Sequence, residues 1–320
     1  NGTFEPQNDN TQSDVPFGGD TIVTGQWIQL DIPLADFTNL ASVEHLAQLL
    51  LLTNTKTFFV DNIYFYREGD APEGFSVFGD DFAEGVTFRE FGGSTNDVSV
   101  DTNEFFEGTA SLKIEVPAEG YTGGALAQDA GIDLSEFNAV RFHAKASQEF
   151  PFNVFGIGND AADNVYQAEL NGRVIGTDWT EVIIPLPDPS ALTDENGLMH
   201  FAEGAEATPY TIWIDAIEYV NVGPETLGPP MPAIATETRD VDLNATVDIN
   251  GVSAAFMIDG NVSVIATSRA YFNYTSSNED AVTVNELGQA TAVGPGTAEI
   301  TASLAGIDAA GVTTINVIVR

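Results

Sequence analysis

The 320-residue sequence contains no cysteine, which excludes disulfide frameworks, thiolate zinc sites, iron–sulfur clusters and cysteine nucleophiles together. Basic residues are also scarce: 10 Lys and Arg stand against 48 Asp and Glu, a formal net charge of -38. That excess repels polyanions, so nucleic acid and anionic membrane surfaces are excluded as partners. It suits a saline, marine setting, where screening over less than about 10 Å relieves self-repulsion. Long apolar runs are missing too. The longest cluster, at 46–52, is broken by Gln48, far short of the roughly 18 apolar residues of a membrane helix, and no membrane insertion is expected. The opening residues have neither the basic start nor the apolar core of a signal peptide, so the chain reads as a processed or C-terminal part of a longer protein. Gly-x-Ser-x-Gly and Gly-x-x-x-x-Gly-Lys patterns are absent, and no compact strand motif offers the carboxylate pair of a glycosidase. A dispersed acid pair is the remaining route to catalysis, and the chain is expected to carry no enzyme activity of its own.

What is present points to sandwiches. An apolar fraction of 43% supplies cores for more than one domain, and many short alternating strands with Gly, Asn and Asp turns predict an all-β fold. Helical periodicity is confined to a turn or two near 42–50. An internal repeat links 25–66 to 178–220. Trp27 and Trp179 each precede an Ile-Pro-Leu step, with Pro33 and Pro185 both six residues on. Asp61 and Asp215 follow those prolines by 28 and 30 residues, each inside an alternating apolar strand. The second copy has a full set of strands ahead of its Trp; the first does not. The segment EGDAPEG at 68–74 and the four-proline segment VGPETLGPPMP at 222–232 read as linkers. The expected organisation is therefore 1–68 as the C-terminal part of one jelly-roll sandwich, 69–223 as a complete one, and 224–320 as a third, different sandwich.

The second module opens a strand with Asp80-Asp81-Phe82, sets Phe106-Glu107-Gly108 before Ser111-Leu112-Lys113-Ile114, and ends on the Asp215 strand. In this it resembles the galactose-binding-domain-like jelly rolls that serve as carbohydrate-binding modules beside bacterial polysaccharidases and in surface glycan-binding proteins. Residues 241–320 resemble the group 2 bacterial immunoglobulin-like domain, through Tyr274-Thr275-Ser276-Ser277-Asn278, Leu287-Gly288-Gln289-Ala290-Thr291-Ala292 and Gly296-Thr297-Ala298-Glu299-Ile300. Tyr274 stands where that family more often has Trp. The resemblance implies a secreted or outer-surface bacterial protein that binds polysaccharide or oligosaccharide, β-glucan among the candidates, with the third domain as a spacer. Two alternatives stay open: an adhesive surface protein that meets other cell-surface proteins and binds no sugar, and the accessory region of a glycoside hydrolase with its catalytic domain upstream.

Sugar rings need apolar platforms and planar polar groups. Alternation along AVRFHAKA puts Arg141, His143 and Lys145 on one face and Val140, Phe142 and Ala144 toward the core. Tyr166, with Gln167 and Glu169 on what reads as a later strand, and Tyr121 in a Gly-flanked segment complete the candidate carbohydrate site. Trp27 and Trp179 read as scaffold because the repeat conserves their spacing, and Trp213, which matches Phe59 in the first copy, reads as packing. Such sandwiches often hold a structural Ca2+. The resemblance implies Asp215 with Asp81 and Glu107 as its ligands, and Asp61 as the equivalent in the first module. The three histidines, His45, His143 and His200, show no zinc-ligand spacing.

Overall fold

A computed structural model describes residues 74–94, 98–162 and 165–319, all within one compact unit, Arg67–Arg320. The first module, with Trp27, Asp61 and the helical turn expected near 42–50, lies outside the described residues. Strands β1 (Phe75–Phe78), β2 (Thr87–Glu90), β3 (Val98–Asp101), β4 (Ser111–Val116), β5 (Tyr121–Ile132), β6 (Ala139–Ala146), β7 (Phe150–Ile157), β8 (Ala168–Ile175), β9 (Thr180–Pro185), β10 (Glu195–Gly204) and β11 (Tyr210–Val220) build the jelly-roll region. They are followed by β12 (Met231–Ala233), β13 (Glu237–Asp242), β14 (Thr246–Asp248), β15 (Ser253–Ile258), β16 (Asn261–Thr267), β17 (Phe272–Ser276), β18 (Val282–Val284), β19 (Gln289–Ala292), β20 (Gly296–Leu304), β21 (Ile307–Asp308) and β22 (Thr313–Ile318). The fold is all-β, and among the described residues the only helical pieces are short 3-10 turns.

The first sheet runs β3-β4-β11-β6-β9, with β1 on β11. It faces the β2, β5, β10, β7 and β8 part of the second sheet across an apolar core. The alternation read in β6 is realised: Val140, Phe142 and Ala144 are fully buried, and Arg141, His143 and Lys145 face outward, half-buried. Phe142 meets Phe155 of β7 edge-on at 5.1 Å, while Leu112, Ile114, Ile212 and Ile214 from the first sheet and Leu126 and Phe201 from the second fill the remaining space. From β11, Ile212 and Ile214 enter this core, while Asp215, opposite the outward-facing His143, is buried on the other face.

The second sheet does not stop at the expected module boundary. Its order is β12-β15-β16-β8-β7-β10-β5-β2, and β16 pairs antiparallel with β8 through Ile265 opposite Leu170, Ala266 opposite Glu169 and Thr267 opposite Ala168. An edge strand exposes unpaired N–H and C=O groups, and β16 covers those of β8. The proline-rich segment is pinned as well. Leu227 bridges to Ile258 and packs on a small cluster of Ala139, Ile183 and Val220. Beyond it, β13-β22-β20-β17, with β21 on β20, and β14-β19-β18 form two further sheets, β13 lying parallel to β22. The proline-rich segment read as a linker thus packs on the strands around it through Leu227.

One carboxyl is carried into the core. Glu203 of β10 is fully buried opposite Thr122; its Oε2 accepts from the Asn153 N–H at 2.5 Å, while Oε1 and the Thr122 hydroxyl have no partner. Burial raises its pKa above the ordinary 4.5, only partly opposed by the Asn153 hydrogen bond. Folding therefore takes up a proton over the interval between the unfolded and folded values. The stability is fully present below the unfolded value and is lost as pH rises through the folded one. Glu203→Gln is expected to stabilise the protein at pH 7 by on the order of 1 kcal/mol, with the gain shrinking toward pH 4. Thermal melts of both proteins across that range check this.

Candidate functional site

The outer face of the first sheet carries Arg141, His143 and Lys145, and each already has a partner. Arg141 binds Glu218 through Nη2, with Nε 3.1 Å from the same Oε1, and Glu181 stands 3.9 Å away. Lys145 Nζ meets Glu104 Oε1 at 2.7 Å and lies 6.0 Å from the Trp213 ring centre. The His143 ring stacks under Phe106, 3.6 Å between centroids, and burial lowers its pKa, which favours the neutral ring. Trp213 donates from Nε1 to Asp101 at 3.0 Å, in keeping with a packing role. A loop that local alternation cannot show thus covers the predicted donors.

Asp215 holds that loop. Its Oδ2 accepts from the N–H of Phe106 at 2.7 Å and of Glu107 at 3.1 Å, and its Oδ1 from Ala216 at 2.7 Å. Buried at 1% exposure, the carboxylate spends its lone pairs on backbone. Asp81 is exposed and accepts from the N–H of its neighbour Phe82. Among the described residues no three His, Asp or Glu side chains converge as a metal site, so Asp81, Glu107 and Asp215 do not form the expected calcium cluster. Asp61 lies outside the described residues.

The second sheet presents a different surface. Arg89 of β2 stands opposite Ala125, Ala125 opposite His200, His200 opposite Gly156, Gly156 opposite Glu169, and Glu169 opposite Ala266. Opposed residues of antiparallel strands share a face, and because Leu126, Phe155, Leu170 and Phe201 point to the core, this row points outward. Small residues let the row lie flat. A Cβ on Gly156 would sit 2.3 Å from His200 Cε1, so the ring lies across the glycine. His200 Nε2 is 3.3 Å from Glu169 Oε1, and Gln167 Nε2 donates to the same oxygen. The His200 bond is the main cause holding the Glu169 carboxyl below its usual range. At the other end of the row, Arg89 binds Asp129 at 2.7 Å and Asp160 at 3.4 Å.

Next to this row a pocket of about 190 Å³ is lined by Gly158 and Gly197 together with Asp160, Tyr166, Asp194, Glu195 and Asn196. Gly158 has φ +76°, and a Cβ there would stand 2.2 Å from the Tyr166 carbonyl oxygen; only glycine fits both demands. Tyr166 therefore sits in a turn preceding β8 instead of on the strand as its sequence suggests, and this frees it from alternation with Gln167. Of the five predicted sugar contacts, Tyr166 lines this pocket. Tyr121 faces the same side of the sheet, four residues along β5 from the row, about 13 Å, with its hydroxyl donating to Gly92 O at 2.7 Å. Arg141, His143 and Lys145 belong to the opposite sheet. The placement of Arg89, Asp160, Asn196 and His200 beside this pocket and row has no local signal in the sequence.

No protein-family model matches the sequence, and no curated protein does either. Among solved structures, a family 30 carbohydrate-binding module of a cellulosomal cellulase of Clostridium thermocellum is similar at 19% identity and a TM-score of 0.31, over 48% of this chain and 93% of that one. A family 11 carbohydrate-binding module from Clostridium thermocellum, in complex with a β-1,3-1,4-mixed-linked tetrasaccharide, is similar at 12% identity and a TM-score of 0.36, over 47% of this chain and 96% of that one. A β-1,2-glucanase from Parabacteroides distasonis is similar at 14% identity and a TM-score of 0.35, over 77% of this chain and 39% of that one. Likeness at this level transfers neither a ligand nor an activity.

Gly158→Ala is expected to cost about 1–3 kcal/mol through the forced left-handed backbone and the clash with Tyr166, read as a lower denaturant midpoint. Asp215→Ala, which removes the acceptor of the Phe106 and Glu107 N–H groups, is expected to cost about 1–3 kcal/mol, read the same way.

Proposed function

We propose that this protein binds a neutral polysaccharide, without cleaving it, at the pocket beside the Arg89–Glu169 row of the second sheet. The observation that carries the reading is the composition of that concavity. An aromatic wall, Tyr166, stands next to the planar acceptors and donors of Asp160, Asp194, Glu195 and Asn196, the combination that fits a pyranose face and its hydroxyls. The carboxylates of the pocket and the chain's net charge of -38 disfavour uronic-acid polymers, leaving neutral glycans such as β-glucans. Non-catalytic binding is supported by the acids themselves. Glu169 is held ionised by His200, and Glu203, whose pKa burial raises as a general acid requires, lies on the core face. In this reading the protein is secreted or held at a bacterial surface, and the C-terminal sheets are a group 2 immunoglobulin-like domain.

A second site is favoured by one observation: Phe105 and Phe106 are 39% and 41% exposed on the first sheet, beside Arg141, His143 and Lys145. Affinity electrophoresis separates the two sites. The chain is expected to be retarded in laminarin, mixed-linkage glucan or xylan gels and to run freely in alginate. Tyr166→Ala is expected to abolish most of the retardation and Phe106→Ala to leave it unchanged. Retardation lost with Phe106→Ala and kept with Tyr166→Ala would move the site to the first sheet, and none in any neutral glycan would refute the proposal.

A further inference from the structure

We infer that the C-terminal region is a working part of the binding site, with Tyr271 and Ser268 as positioning residues for the Tyr166 wall; this rests on the glycan site proposed above. Five contacts converge on the segment 165–168. Ser268 donates from its backbone N–H to Gln167 O at 2.8 Å and from its hydroxyl to Val165 O at 2.5 Å. The Tyr271 hydroxyl donates to Tyr166 O at 2.7 Å, and the two rings pack at 5.3 Å between centroids, tilted by 58°. Thr267 pairs with Ala168 at the start of β8. Every backbone carbonyl from Val165 to Gln167 is thereby held by the C-terminal region.

These partners decide where the site's side chains stand. Tyr166 is a pocket wall in a turn, where no strand ladder fixes its backbone. Gln167 follows it and reaches Glu169. Tyr271 is itself 3% exposed, so it touches no ligand and acts only through Tyr166. A region that merely lengthened the protein would need a covalent link and nothing more. Here it contributes hydrogen bonds to carbonyls that, left unpaired in a partly closed turn, would let the wall move.

The test uses the full chain and the neutral glycan that retards it. Tyr271→Phe keeps the ring and removes one hydrogen bond to Tyr166 O; Ser268→Ala removes the one to Val165 O. Each is expected to weaken binding by about three- to tenfold with the melting temperature nearly unchanged, and to speed amide hydrogen exchange in 165–168 while leaving the Arg141 strand as it was. Tyr271→Ala should weaken binding further than Tyr271→Phe, which would restore the ring contact. Wild-type affinity in both conservative variants would overturn the inference even if the glycan site stands. An unchanged affinity in Tyr166→Ala, or a wild-type chain that binds no glycan, would remove the site on which the inference rests, and accelerated exchange alone would not restore it.

Discussion

Strand β8 has two edges to satisfy, and its own sandwich fills only one. β7 takes the inner edge; the outer is taken by β16, more than ninety residues further along the chain. Each backbone hydrogen bond in that ladder contributes only about 0.5–1.5 kcal/mol net, but the pairing also buries Ile265 completely beside Leu170. The alternative is an open row of donors and acceptors on a long strand, which natural sheets avoid. Once β16 is docked, the chain that follows it must leave beside the turn preceding β8. That exit puts Ser268 and Tyr271 against Val165, Tyr166 and Gln167.

The two sheets of the jelly roll then differ in what they can offer a ligand. On the first, the outward charges of β6 are consumed by Glu218, Glu181 and Glu104, and the buried Asp215 carboxylate draws a loop down so that Phe106 covers His143. On the second, glycine and alanine keep the face low. His200 lies over Gly156, and Asp160, Tyr166 and Asn196 line the pocket where Asn159 and Tyr166 pass close to Gly197 and Gly158. Concavity and polarity coincide there because Gly158 and Gly197 permit a close approach of the turn that a Cβ would block.

Much of the fold was legible in local patterns. Alternation in AVRFHAKA gave the core face of β6, and Asp215 lies inside a strand, β11, as the alternation around it implied. Pairing between β8 and β16 was not legible, because period-two alternation tells which face a residue takes and says nothing about which edge a strand will find. The contacts of the proline-rich segment 222–232 were hidden for the same reason: proline restricts the backbone without revealing that Leu227 packs on Ala139 and Val220. At the site, Tyr166 was visible as an aromatic near polar residues. Arg89 and His200 come from distant segments and share a row only through register, and Asp160, beyond the end of β7, meets that row through its ion pair with Arg89. That the Asp215 carboxylate accepts from the backbone N–H groups of Phe106, Glu107 and Ala216 was not legible either, because the contacts to Phe106 and Glu107 join segments far apart in sequence.

The central claim is that ligand meets the outer side of the second sheet at the turn braced by the C-terminal region. Backbone amide chemical-shift mapping during titration with a neutral β-glucan oligosaccharide tests it most directly. The account predicts shifts concentrated at Asp160, Tyr166, Gln167 and Asn196, with smaller ones at Ser268 and Tyr271. Shifts concentrated at Phe106, Arg141, His143 and Lys145, with Asp160, Tyr166 and Gln167 unmoved, would contradict it.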